Sequence, residues 1–121
     1  MTEAPQILVV EDDPDVRMSI VEALEDASFR VASAGNGRQA LEYLGAATTL
    51  PQLILLDLMM PVMDGFQFRE AQGRVPTWAA IPTVVLTASS NAIDGKTPTM
   101  AKPISLDDLV ATASRYCSVV A

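Results

Sequence analysis

The sequence predicts a doubly wound α/β domain, a five-stranded parallel sheet covered by helices on both faces. Three observations carry this. The runs Ile7-Leu8-Val9-Val10, Leu53-Ile54-Leu55-Leu56 and Thr83-Val84-Val85-Leu86 show no polar alternation, as expected of parallel strands buried on both faces. Helical patterns alternate with the strands along the chain, which implies crossover units. The 121 residues, half of them hydrophobic, suffice for one sizeable core and leave little room for a second domain, so residues 1–121 read as a single unit.

The elements follow in order. After the first strand, Asp13 can cap a helix with Pro14 at its first position, where a missing N–H costs nothing. Val16, Ile20, Ala23, Leu24 and Ala27 then form one apolar stripe. Arg30 to Ala34 reads as a short strand, and Gly37 to Gly45 as a helix with Ala40, Leu41 and Leu44 inward. The second apolar strand ends in Asp57. A helix from Gly65 to about Gln72 follows, and the third apolar strand ends in Thr87. Near the C-terminus, Ser105 can cap a helix whose Leu106, Leu109, Val110, Ala113 and Cys117 share a face. Trp78 and Cys117 read as packing residues. Phe66 and Phe68, two apart, cannot share a helical face, so one of them is open to contribute to partner binding.

Composition narrows the function. Without histidine, there is no Ser-His or Cys-His pair and no His-ligated metal; one cysteine excludes an internal disulfide. A net charge of -7 argues against direct nucleic-acid binding. No run is long enough to span a membrane, and the stretch Met1-Thr2-Glu3-Ala4-Pro5-Gln6 lacks the features of a secretory signal, so a cytoplasmic location is expected.

A doubly wound sheet gathers its ligands at the carboxyl ends of its strands. Those ends read Glu11 and Asp12, then Asp57, Thr87 and Lys102. Three carboxylates crowded together raise one another's pKa unless a cation neutralises them. Oxygen ligands with no His or Cys suit Mg²⁺, with Mn²⁺ as the other candidate. Each residue also has a plainer reading: helix-start acids, a strand-end aspartate, a strand-end threonine. Asp13 and Asp15 keep theirs, and Asp64-Gly65 reads as turn chemistry. Lys102 is one of only two lysines and is followed by Pro103. A carboxylate, a divalent ion, a hydroxyl and an ammonium are together the components for phosphoryl transfer to an aspartate.

At these residues the chain resembles the receiver domain of two-component response regulators. The matching stretches are Ile7 to Asp13, Leu55 to Gly65, Val84 to Ala88, and Lys102-Pro103; the Asp57 to Gly65 stretch is the most specific. The resemblance implies a flavodoxin-like fold with strand order 2-1-3-4-5. It implies that Asp57 accepts phosphate from a sensor histidine kinase or histidine phosphotransfer protein. Asp12, Asp57 and the Met59 carbonyl would bind Mg²⁺ directly, with Glu11 acting mainly through water. Thr87 and Lys102 would contact the phosphoryl group, and the Lys102–Pro103 bond would be cis. The product would switch binding of a downstream protein target. With no segment after Ala121, a stand-alone switch is expected.

Two departures from the family stand out. Only fourteen residues separate Thr87 from Lys102, and they hold Ser89, Ser90, Asn91, Asp94, Gly95 and Pro98. The fourth helix is therefore expected to be shortened to about one turn or absent, unless the alignment shifts and Lys96 takes the lysine's place. Thr99 stands where the family usually carries an aromatic, so stretch 88–98 is expected to switch by ordering on phosphorylation. Met59, Met60 and Met63 either pack the loop or offer a contact surface.

Competing functions fare less well. An aspartate-based phosphatase needs an acid two residues after its nucleophile, where this chain has Met59. A flavin module needs a phosphate-cradling loop where Glu11-Asp12-Asp13-Pro14 would repel phosphate. A non-phosphorylated interaction module on the same fold remains the alternative.

Overall fold

The computed structural model describes residues 4–87 and 97–117. Its strands are β1 (Ile7–Val10), β2 (Val31–Ala34), β3 (Leu53–Asp57), β4 (Thr83–Thr87) and β5 (Thr99–Ala101). The helices are α1 (Pro14–Asp26), α2 (Gly37–Ala46), α3 (Gly65–Gly73), the single turn α4 (Pro76–Ala79) and α5 (Leu106–Tyr116). All strand pairs are parallel, in the order β2-β1-β3-β4-β5.

The uninterrupted apolar runs are explained by two cores, one on each face of the sheet. Ile7, Val9, Leu53, Leu55, Val84 and Leu86 meet Ile20 and Leu24 of α1 and Leu109 and Ala113 of α5. The intervening Leu8, Val10, Ile54 and Leu56 meet Ala40 and Leu44 of α2 and Phe68 of α3. Successive side chains of a strand point to opposite faces, so a strand covered on both sides has no position left for a polar residue.

The helices start where their caps sit. The Asp13 carboxylate accepts from the Asp15 and Val16 amides, Asn36 from Gln39, and Ser105 from Asp108. Asp64 does more than turn the chain: with Gln67 it forms a reciprocal capping box that opens α3. α1 ends in a Schellman motif, with Ser28 at φ 75°, the Ser28 amide on the Glu25 carbonyl and the Phe29 amide on the Leu24 carbonyl.

Some expectations need correction. Val16 and Leu106 are exposed rather than inward. Each lies in the first turn of its helix, beyond the strand ends, where no sheet lies beneath it; they flank a groove of about 320 Å³ beside Lys102. Trp78, expected in a loop between prolines, sits in the helical turn α4 and packs on the core. Phe66 is the exposed member of the Phe66–Phe68 pair. Cys117 is buried as expected. The expected loss of the helix between β4 and β5, the switch of stretch 88–98 and the alternative Lys96 concern residues 88–96, outside the described residues.

Candidate functional site

The order β2-β1-β3-β4-β5 reverses direction between β1 and β3, and the crevice at their carboxyl ends is where such sheets bind ligands. Residues from four chain segments meet there. Glu11 and Asp12 follow β1; Glu11 is only 1% exposed, and its amide is fixed by the Ala34 carbonyl at 3.1 Å. Asp57, 3% exposed, closes β3, and Thr87 is buried at the end of β4. Lys102 follows β5, placed by its amide on the Thr87 carbonyl at 2.9 Å. Its Nζ lies 3.0 Å from Asp57 Oδ1 and 3.3 Å from Glu11 Oε1. The Lys102–Pro103 peptide is cis, as the resemblance implies.

Each of Glu11, Asp12 and Asp57 offers a carboxylate oxygen, and all three lie within 4.8 Å of one another. The electrostatics follow from that crowding. Burial, the hydrogen bond to Asp57 and the Asp57 charge push Glu11 up to about 8, against the opposing pull of Lys102. Burial works against the charge on Asp57 too, but hydrogen bonds from Glu11, Lys102 and the Met59 amide outweigh it and hold Asp57 below the usual carboxylate range. Burial would lower Lys102, yet Asp57 and Glu11 raise it further. The crowding thus favours a proton on Glu11 and a charge on Asp57 beside the Lys102 ammonium. Glu11 Oε2 is buried with no hydrogen-bond partner. Such an oxygen, among three acids and no nitrogen or sulfur ligands, fits a hard divalent cation.

The loop after Asp57 is held closely. The Gly65 amide donates to the Leu58 carbonyl at 2.9 Å, and a Cβ at Gly65 would stand 2.7 Å from the Asp57 carbonyl oxygen, so only glycine fits. On its far side the loop meets α2, where the Gly37 amide donates to the Met63 carbonyl at 3.0 Å. Met60 is buried and Met63 packs on the core, the loop-packing role considered for them, while Met59 points into solvent at 78% exposure.

All five strand-end residues named from the sequence are therefore on one edge: the side chains of Glu11, Asp12, Asp57 and Lys102 meet, and Thr87 joins them through its carbonyl to the Lys102 amide. Sequence reasoning missed Arg17, whose Nη1 donates to the Glu11 carbonyl at 2.9 Å and fixes the backbone of the acidic turn. It also missed the dual pairing of Lys102 with Glu11 as well as Asp57.

Residues 7–114 match the response regulator receiver domain family. The chain belongs to this family. Among its relatives, an uncharacterised 14.6 kDa protein of Leptolyngbya boryana is 34% identical over 92% of this receiver chain and 88% of its own length. Response regulator Rre1 of Synechocystis is 35% identical over 92% of this chain, and the regulator PrrA of Mycobacterium leprae 36% over 89%. The chain spans only about half the length of those two regulators, 51% and 48%. The chemotaxis protein CheY4 of Vibrio cholerae superposes with a TM-score of 0.83 at 27% identity, covering 95% of this chain and all of that one. The receiver domain of a Pseudomonas aeruginosa sensor histidine kinase, with magnesium in its active-site cleft, gives 0.81 at 25% identity, covering 94% and 98% of the two chains. Receiver domains are signalling domains of two-component systems and interact with histidine kinases and downstream targets.

Proposed function

We propose that this chain is a phosphorylatable receiver, a single domain over residues 1–121, in which Asp57 is the phosphoacceptor. The observation that carries the reading is the Asp57 carboxylate 3.0 Å from Lys102 Nζ and within 4.8 Å of the Glu11 and Asp12 oxygens. A histidine kinase or histidine phosphotransfer protein supplies the phosphoryl group: the bond from phosphorus to imidazole nitrogen breaks, a bond to an Asp57 oxygen forms, and the imidazole nitrogen regains its lone pair. Lys102 neutralises charge on the phosphoryl oxygens, and the Thr87 hydroxyl donates to one of them. Asp12, Asp57 and the Met59 carbonyl would hold Mg²⁺ (or Mn²⁺) with Glu11 behind a water, and the ion would supply further positive charge to the transferring group. The domain is a switch for a downstream protein target rather than an enzyme acting on substrates. It works in the cytoplasm; no helix among the described residues is long and apolar enough to cross a membrane.

Mass measurement after incubation with acetyl phosphate and Mg²⁺ tests this. Wild type is expected to gain one phosphate and Asp57→Asn none, while circular dichroism shows both folded. Absence of any gain in wild type would instead favour the non-phosphorylated interaction module.

A further inference from the structure

Arg17 is out of place by the ordinary rules of charge. It is the fourth residue of α1, close to the positive end of the helix dipole, which disfavours a cation. Glu11, Asp12, Asp13 and Asp15 all precede it within six residues, so an arginine here has four carboxylates to choose from. Among the described residues it forms an ion pair with none of them. Its Nη1 donates instead to the neutral Glu11 carbonyl at 2.9 Å.

That carbonyl belongs to the peptide joining Glu11 to Asp12. A peptide unit is planar, so holding its carbonyl also holds the Asp12 amide and Cα. The turn is pinned from the other side as well, because the Glu11 amide donates to the Ala34 carbonyl of β2 at 3.1 Å. The guanidinium rests near the corner that follows β2, where a Cβ built on Gly35 would stand 3.4 Å from Nη1. The acidic turn is thus gripped between β2 and α1. Asp12 depends on that grip more than its two neighbours do. Lys102 bonds Glu11 at 3.3 Å and Asp57 at 3.0 Å. The Asp12 carboxylate has no hydrogen bond or ion pair among the described residues, although one of its oxygens lies within 4.8 Å of theirs. Its direction is therefore set by its backbone.

We propose that Arg17 is a positioning residue for the divalent ion: by holding the Glu11 carbonyl, it aims the Asp12 carboxylate into the site shared with Glu11 and Asp57. This rests on the cation site of the reading above and does not require transfer of a phosphoryl group. Charge and geometry act here with opposite signs. A guanidinium near the site repels a second cation, so a role through charge alone means that its removal tightens Mg²⁺ binding. A role in aiming Asp12 means that removal loosens binding despite the relieved repulsion. Groups bonded directly to a metal ligand are typically worth about tenfold or more in affinity. Arg17 works through the backbone and against its own charge, so about threefold is expected.

Mg²⁺ titrations of the full chain at constant ionic strength, followed by backbone amide chemical shifts around Asp57, compare wild type with Arg17→Met, Arg17→Lys and Val21→Ala. Arg17→Met keeps an apolar stem and loses the donors; it should bind about threefold or more weakly. Arg17→Lys keeps the charge but replaces the planar fork with a point donor, and should fall between the two. Val21→Ala loosens α1 from the core without touching the turn, and should bind as wild type does. Binding by Arg17→Met that is as tight as wild type, or tighter, overturns the proposal. So does equal weakening in Val21→Ala, which traces the loss to the packing of α1. If Arg17→Met does not fold, Arg17→Lys decides: weaker binding supports the proposal, and unchanged or tighter binding overturns it. A wild type with no saturable Mg²⁺ response removes the site and the proposal with it. If Mg²⁺ binds as expected but acetyl phosphate leaves wild type uncharged, the phosphoacceptor reading fails and the role of Arg17 stands.

Discussion

Burial and the neighbouring Asp57 charge push the Glu11 carboxyl up to about 8, while hydrogen bonds from Glu11 and Lys102 hold Asp57 below the usual carboxylate range. This has a pH signature in the ion-free protein. The Glu11 pKa rises from 4.5 to about 8 on folding, so the folded state binds the proton more tightly. The contribution to stability is complete below about pH 4.5 and is lost as pH rises through about 8. Glu11→Gln, which stays neutral throughout, should therefore gain in melting temperature relative to wild type between pH 5 and 8, measured in a chelator; a constant difference would contradict it. At this scale the sequence was highly informative about which side chains meet, because strand ends in a parallel sheet are fixed once the strands are known. It was silent on Arg17, whose contact is to a backbone carbonyl, and on the buried Gln72, whose amide bonds the Trp78 carbonyl at 2.8 Å and Thr83 Oγ1 at 3.2 Å. A glutamine on a helix reads as a solvated residue until its neighbours are known.

The elements were legible where periodicity and caps agreed. The apolar runs gave β1, β3 and β4, and Asp13 and Ser105 gave the starts of α1 and α5. Periodicity failed at the first turns, since a stripe identifies a face and does not say how far the sheet extends beneath it; Val16 and Leu106 lie past that limit. α4 left no amphipathic trace because four residues are too few for one. The end of α1 offers a test at this scale. Ser28 occupies the left-handed cap position that glycine fills without strain. Ser28→Gly should stabilise the protein by about 0.5–1 kcal/mol, the relief of strain exceeding the added freedom of the unfolded chain. Urea denaturation checks this, and a loss of stability would show that the serine side chain is itself a needed part of the cap.

For the whole molecule, the sheet sandwiched between two cores is the source of stability. Leu55 is fully buried in the centre of β3, with neighbours from β1, β4 and both helices of its face. Leu55→Ala should cost about 2–5 kcal/mol, through lost burial and the cavity left in a close-packed layer. Thermal melting would show it, and a cost below about 1 kcal/mol would mean that the layer collapses onto the gap. Fold class and strand order were legible at this scale because the number and parallel character of the strands leave few arrangements, and the resemblance selected one.

The ion pair between Lys102 and Glu11 joins positions 91 residues apart in the chain. No contiguous fragment carries the chemistry, and a nascent copy still lacking β5 on the ribosome has acids without their ammonium. On the phosphoacceptor reading proposed above, a copy cut short before β5 would keep an acidic pocket without its countercharge, and transfer to Asp57 should fail.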